Sequence, residues 1–266
     1  IMVKAGVYRE NLTIDGPGGS SGKPIWLRSA DGKGAAEMAA LLAGAEALRV
    51  VAANAVIVEG FKINGGVSIE SNATKASTNI VLQNNMVTNG LSDGIYAEYV
   101  TNLWIIANDV SSSPRGQGVQ IMGGGSILIA DNYIHDLRTS GAKNDGVNLK
   151  GNLRDVMIQN NIVDRIDGTA LVLEGMNVTA RANSLQGTRR AVTYSGCNTC
   201  TLERNNIHVS TGMMSDVALM VGDSPVYPTT AAKLINNCTY RQDWLYVEAG
   251  TGTGLVSQGN SERACQ

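Results

Sequence analysis

Short aliphatic runs that close on asparagine recur along most of this chain. They include Phe61-Lys62-Ile63-Asn64, Ile80-Val81-Leu82-Gln83-Asn84-Asn85, Val156-Met157-Ile158-Gln159-Asn160-Asn161 and Lys233-Leu234-Ile235-Asn236-Asn237. The last Asn of each run falls at positions 64, 85, 108, 132, 161, 183, 206, 237 and 260, separated by 21, 23, 24, 29, 22, 23, 31 and 23 residues. Between the runs lies a second apolar/polar alternation, often opened by glycine: Asp93-Gly94-Ile95-Tyr96-Ala97-Glu98, Gly118-Val119-Gln120-Ile121-Met122 and Asp145-Gly146-Val147-Asn148-Leu149-Lys150. A third short alternation follows the Asn, as in Tyr133-Ile134-His135-Asp136-Leu137. Period-two alternation is the mark of a strand with one face buried. Three such strands in every repeat of about 23 residues predict the coil of a parallel β-solenoid, about ten coils in one domain over residues 1–266. Helical repeats would need longer 3.6-period stretches, and propeller blades would need four strands and aromatic signatures; both are missing.

The recurring Asn has a structural task in such a fold. Asn tolerates left-handed backbone at a tight turn, and amides stacked about 4.8 Å apart can hydrogen-bond along the solenoid axis. Residues Ala35 to Ala47 are rich in helix formers. An open solenoid end exposes strand edges, so residues before Ile1 or another chain are expected to cover it.

Composition narrows the function. Hydrophobic residues make up 43%, charged residues 17%, and Gly contributes 31 positions. No stretch reaches the roughly 18–20 apolar residues of a membrane-spanning helix, so no membrane partner is expected. Twenty-one basic against 23 acidic residues leave no general field for nucleic acid. Of four cysteines, Cys197 and Cys200 form a C-x-x-C that lacks further soft ligands at zinc spacing, since His135 and His208 stand apart. Bridges Cys197–Cys200 and Cys238–Cys265 are predicted, with Cys238 taken as equivalent to inward-pointing Ile162 and Ile207. Disulfides indicate an extracellular or periplasmic location.

The opening Ala5-Gly6-Val7-Tyr8-Arg9-Glu10, the segment Gly18 to Ile25, and Val56-Ile57-Val58-Glu59-Gly60-Phe61 resemble the first coils of many polysaccharide lyases. With the repeat, they make the chain similar to the right-handed parallel β-helix proteins of the pectate-lyase-like superfamily. That resemblance implies an all-β right-handed parallel β-helix, a polysaccharide partner, strand and loop with at most one helical turn over Ala35 to Ala47, and an N-terminal capping helix whose pattern is not seen in these residues. The superfamily holds lyases, hydrolases, epimerases, tailspikes and inert surface proteins, so fold alone leaves activity open.

Counting from Gly94, Gly118, Gly146 and Ala170 places Tyr96, Gln120, Asn148 and Val172 in one outward column. Glu98, Met122, Lys150 and Glu174 form a second, with Asp93, Gln117, Asp145 and Thr169 just before the strands. Tyr96, Glu98, Gln120, Asn148 and Glu174 are the candidate substrate contacts. Asn144-Asp145-Gly146-Val147-Asn148 resembles the Asp-Asp-Gly-x-Asp segment that holds calcium in one lyase family. By that resemblance Asn144, Asp145 and Asn148 are candidate Ca2+ ligands, although amides replace two of the three carboxylates. Lyases of that superfamily often use a Lys or Arg as base, and by that resemblance Lys150, the one lysine in the columns, is the candidate base for β-elimination of an acidic glycan; the plainer alternative is a surface pair with Glu174. Arg190, beside Arg189, could clamp a uronate carboxylate. The alternatives to a lyase are a non-catalytic adhesin or appendage and a C5 epimerase.

Overall fold

The computed structural model describes residues 1–20, 22–42, 45–90, 92–111, 116–138, 144–209, 219–222, 228–239, 245–247 and 254–261. These residues contain no helix, and the strands are paired in parallel from coil to coil. The architecture is a right-handed parallel β-helix, as the repeat predicted. Ala36–Ala39, in the helix-prone segment, is a strand: its register with Gly6–Arg9 and with the strand Lys62–Asn64 overrides local propensity.

Three sheets run along the axis. In the first, Leu12, Leu48, Val67, Ile95, Val119, Val147, Leu171, Val192 and Leu219 stand in register. In the second the inward line is Ile25, Val56, Ile80, Leu103, Ile127, Val156 and Val178. In the third it is Met38, Ile63, Val87, Val110, Ile134, Val163, Leu185 and Ile207. All three lines meet in one aliphatic core. Each residue between them on the strand faces outward, which is how the first sheet comes to present a row of polar side chains.

The corner between the second and third sheets carries the asparagines, with a division of labour that the repeat did not reveal. The left-handed residue is the one before the buried Asn: Asn84, Ala107, Asp131, Asn160, Ala182, Arg204 and Asn236 have φ of 52–57°. The next residue sends its amide inward, giving a continuous line through Asn85, Asn108, Asn132, Asn161, Asn183, Asn205, Asn237 and Asn260. Two positions therefore shift from the sequence reading. Asn205, not Asn206, lies in the line, and Asn206 opens the following strand. Asn64 lies in the third sheet opposite Thr88; Phe61 occupies the corner position, its N–H donating to Asn85 Oδ1 at 3.0 Å.

Cys197 and Cys200 form a disulfide with Cα atoms 5.7 Å apart, and both are fully buried. Cys238 is also disulfide-bonded, whereas its expected partner Cys265 lies outside the described residues. The supposed inward orientation of Cys238 is corrected by the register. Cys238 aligns with Asn206, Ser184 and the exposed Ile162, and it is Thr239 that aligns with inward Ile207.

Candidate functional site

The outer face of the first sheet holds the candidate site. Ser68, Tyr96, Gln120, Asn148, Val172 and Thr193 form one column, and Glu70, Glu98, Met122 and Lys150 the next. The first counted column is present and runs on to Thr193, the second lacks Glu174, and both gain one earlier coil that sequence reasoning missed. Its signal was available: Gly66-Val67-Ser68-Ile69-Glu70 repeats the glycine-opened alternation. In that coil Ser68 Oγ donates to Glu70 Oε1, and Arg49 Nη2 pairs with Glu70 Oε2 at 3.1 Å.

Lys150 is exposed at the outer edge of this face. Its side chain makes no hydrogen bond or ion pair with a described residue, and its charge acts through space on Asp93 and Glu174. The expected Lys150–Glu174 pair is not formed. After Asn148 the register shifts, so that Arg154 lies opposite Met176 and Glu174 leaves the column. Glu174 instead tucks in at 9% exposure, accepting the Gly151 N–H at 3.0 Å on Oε1. Burial raises its carboxyl above the ordinary range, against the opposing pull of the Gly151 N–H and Lys150.

Tyr96 is half-buried, with its hydroxyl donating to Met122 Sδ at 3.5 Å. Burial first, then the Glu98 carboxylate beside it, push its phenol up to about 12, with Glu70 and Asp93 adding. Tyr96 therefore holds its proton at neutral pH. Gln120 sits half-buried between Tyr96 and Asn148.

The line before the strands is a staircase of side-chain caps. Gln117 N–H donates to Asp93 Oδ1 at 2.7 Å, Asp145 N–H to Gln117 Oε1, and Thr169 N–H to Asp145 Oδ1 at 2.8 Å. Each side-chain oxygen satisfies a backbone donor one coil further on. Arg190 stands in register with Thr169 and, with Arg189, Asp145 and Gly168, lines a depression of about 60 Å3 at the top of the staircase.

The residues proposed for calcium do not fit it. Both Asp145 oxygens are engaged, Oδ1 by Thr169 N–H and Oδ2 by Asn148 Nδ2 at 2.8 Å. Asn148 thus turns its nitrogen towards the one carboxylate of the set, and its oxygen has no hydrogen-bond partner among the described residues. Asn144 is fully buried. A calcium ion takes six to eight oxygens, several of them charged. Among the described residues no group of three or more His, Cys, Asp or Glu could hold a metal ion.

The family described as right handed beta helix region matches residues 65–237, and the chain belongs to it. No curated protein matches the sequence. Among solved structures, an alginate lyase from Paenibacillus sp. str. FPU-7 superposes with a TM-score of 0.70 at 13% identity, over 98% of this chain and 91% of that one. The Dettilon tailspike protein gives a TM-score of 0.66 at 13% identity, over 97% of this chain and 60% of the tailspike. A double mutant of the periplasmic alginate epimerase AlgG gives 0.64 at 12% identity, over 97% of this chain and 67% of the epimerase. At these identities the likeness is one of fold.

Proposed function

We propose that this protein acts on a glycan lying along the outer face of the first sheet, as a lyase that cleaves an acidic polysaccharide by β-elimination. The observation that carries the reading is Lys150: an exposed amine without an ion-pair partner among the described residues, on a face lined by Tyr96, Gln120 and Asn148. The fold neighbours named for action on alginate support the substrate class. As the free amine, Lys150 takes the proton from the carbon beside the uronate carboxylate. The electron pair left behind forms the new C=C bond as the bond to the glycosidic oxygen breaks. Tyr96, which keeps its proton, supplies that leaving oxygen with one. Arg190, two coils beyond Lys150, holds the carboxylate of a neighbouring sugar. A disulfide-bonded chain with a polymeric substrate works in an extracellular or periplasmic space.

The test is incubation with alginate, pectate and glycosaminoglycans, following the ultraviolet absorbance of the unsaturated product. Turnover of at least one polymer is expected, with Lys150→Ala lowering the rate by about 100-fold or more. No product from any of them, or a full rate in Lys150→Ala, would refute the reading. A second reading, glycan binding without turnover as in an adhesin or appendage, is favoured by the sign of the face. Glu70, Asp93, Glu98 and Glu174 outnumber Arg49 and Lys150 there and would repel a polyanion. Retention of a glycan without product would support it. Exchange of the sugar C5 proton with solvent without chain cleavage would instead indicate an epimerase.

A further inference from the structure

The second sheet carries a recess that the site above does not use. Its outward column is Trp26, Ile57, Val81 and Trp104, one residue per coil. Two indoles three coil steps apart, about 14 Å at the spacing of paired strands, flank two smaller aliphatic side chains. Trp26, 44% exposed, is already engaged: its N–H donates to Glu59 Oε2 at 2.9 Å, and the Arg28 guanidinium lies 5.5 Å from the ring centre. Trp104 is 45% exposed, and its side chain makes no hydrogen bond or ring contact with a described residue. Together with Pro24 and the corner residues Ala55, Asn79 and Asn102, the Ile57–Trp104 column lines a cavity of about 280 Å3.

The corner residues give the recess a direction. Asn102 Nδ2 donates to Asn79 Oδ1, Asn79 Nδ2 to Asn54 Oδ1 at 2.7 Å, and Asn54 Nδ2 to the Gly19 carbonyl at 3.0 Å. Every amide in the row points its nitrogen the same way. The Asn102 oxygen at the Trp104 end is therefore left as an acceptor of fixed orientation. No charged side chain lines the cavity. It offers one aromatic plane, one indole donor, one amide acceptor and an aliphatic floor.

We propose that this recess is a binding site for a neutral glycan, independent of the first-sheet face and of the lyase reading. A pyranose ring has an apolar C–H face that can lie on an indole and hydroxyls at its rim that pair with a fixed donor and acceptor. A uronate would find no cation in the lining to pair with its carboxylate. A peptide strand would need a free sheet edge, and the strands under the recess are paired on both sides.

Affinity electrophoresis through gels containing hydroxyethylcellulose, xylan, galactomannan or dextran tests the proposal. At least one polymer should retard the native chain. Trp104→Ala should weaken that retention by about tenfold or more, as loss of a central aromatic contact does. Trp104→Phe should restore part of it, and Trp26→Ala should leave it unchanged. Equal denaturation midpoints establish that the variants remain folded. The proposal is overturned if none of the four polymers retards the chain, or if retention survives Trp104→Ala. It is equally overturned if sedimentation shows dimers that Trp104→Ala dissociates, which would give the recess to a second copy.

Discussion

Replacing Asn132 with alanine removes four hydrogen bonds from the middle of the buried amide line. Asn132 accepts the Asn108 N–H at 2.9 Å and Asn108 Nδ2 at 3.1 Å. It donates to the Ile105 carbonyl at 2.8 Å and to Asn161 Oδ1 at 2.9 Å. The residue is only 1% exposed, so water cannot step in without opening the corner. Asn108 Nδ2 keeps the Leu82 carbonyl, and Asn161 Oδ1 keeps the Asn132 N–H, which softens two of the losses. The Asn108 N–H is left orphaned at about 1–3 kcal/mol, and the other bonds are worth roughly 0.5–1 kcal/mol apiece. The expected cost is therefore about 3–5 kcal/mol, a large part of a typical domain's 5–15 kcal/mol. Asn260 is the natural control. It receives the same pair of bonds from Asn237, at 2.9 and 3.0 Å, but is half-buried, so water can replace its amide for about 1 kcal/mol. Urea denaturation followed by circular dichroism compares the two variants. If Asn132→Ala loses no more than Asn260→Ala, the buried amides do not hold the coils together.

Tyr194 is fully buried in the core, its hydroxyl has no hydrogen-bond partner among the described residues, and burial holds its phenol far above the ordinary range. Tyr194→Phe should raise stability by about 1 kcal/mol, and a loss of that size in the same denaturation assay would reveal a partner for the hydroxyl. The Cys197–Cys200 bridge closes a loop of sequence separation 3, so replacing both cysteines with serine removes about 2 kcal/mol of loop-closure stabilisation. Burying two hydroxyls adds to that cost, and an unchanged midpoint would refute it. Asp136 is held well below the usual carboxylate range by hydrogen bonds from Arg165 and then His135. Its stabilisation is present above the unfolded value and lost as pH falls, so Asp136→Asn should flatten the acid side of the stability curve. Glu174, raised by burial, acts with the opposite sign. Its contribution is full below the unfolded value and lost as pH rises through the folded one. Glu174→Gln should therefore gain relative stability towards neutral pH, which denaturation at about pH 3 to 7 would detect.

Much of the fold is legible in one dimension because burial in a solenoid is local. A period of two sends alternate side chains inward, and a return every 23 or so residues stacks like on like. From those two rhythms follow the aliphatic lines of the core and the outward columns through Tyr96, Gln120 and Asn148, since parallel pairing carries one coil's pattern onto the next. The amide line was legible only to within a residue or so. Doublets such as Asn84-Asn85 do not say which member takes the left-handed turn and which is buried, and the φ values decide it. Near Phe61 the corner position holds no Asn at all, so counting asparagines landed on Asn64, three residues late.

What the tertiary structure alone decided lies where coils differ in length or where a side chain has several possible partners. The register shift between Asn148 and Arg154 carries Glu174 out of the Lys150 column and leaves the lysine without its expected partner. Asp145 looks like a metal ligand in a motif, yet in space the Thr169 N–H and the Asn148 amide take both its oxygens. Trp26 and Trp104 are 78 residues apart in sequence and share a column only because four coils fall into register. Alternation determines whether a residue points in or out. Which outward residues become neighbours depends on how each coil closes, because a turn that lengthens or bulges by one residue shifts every outward side chain after it relative to the coil below.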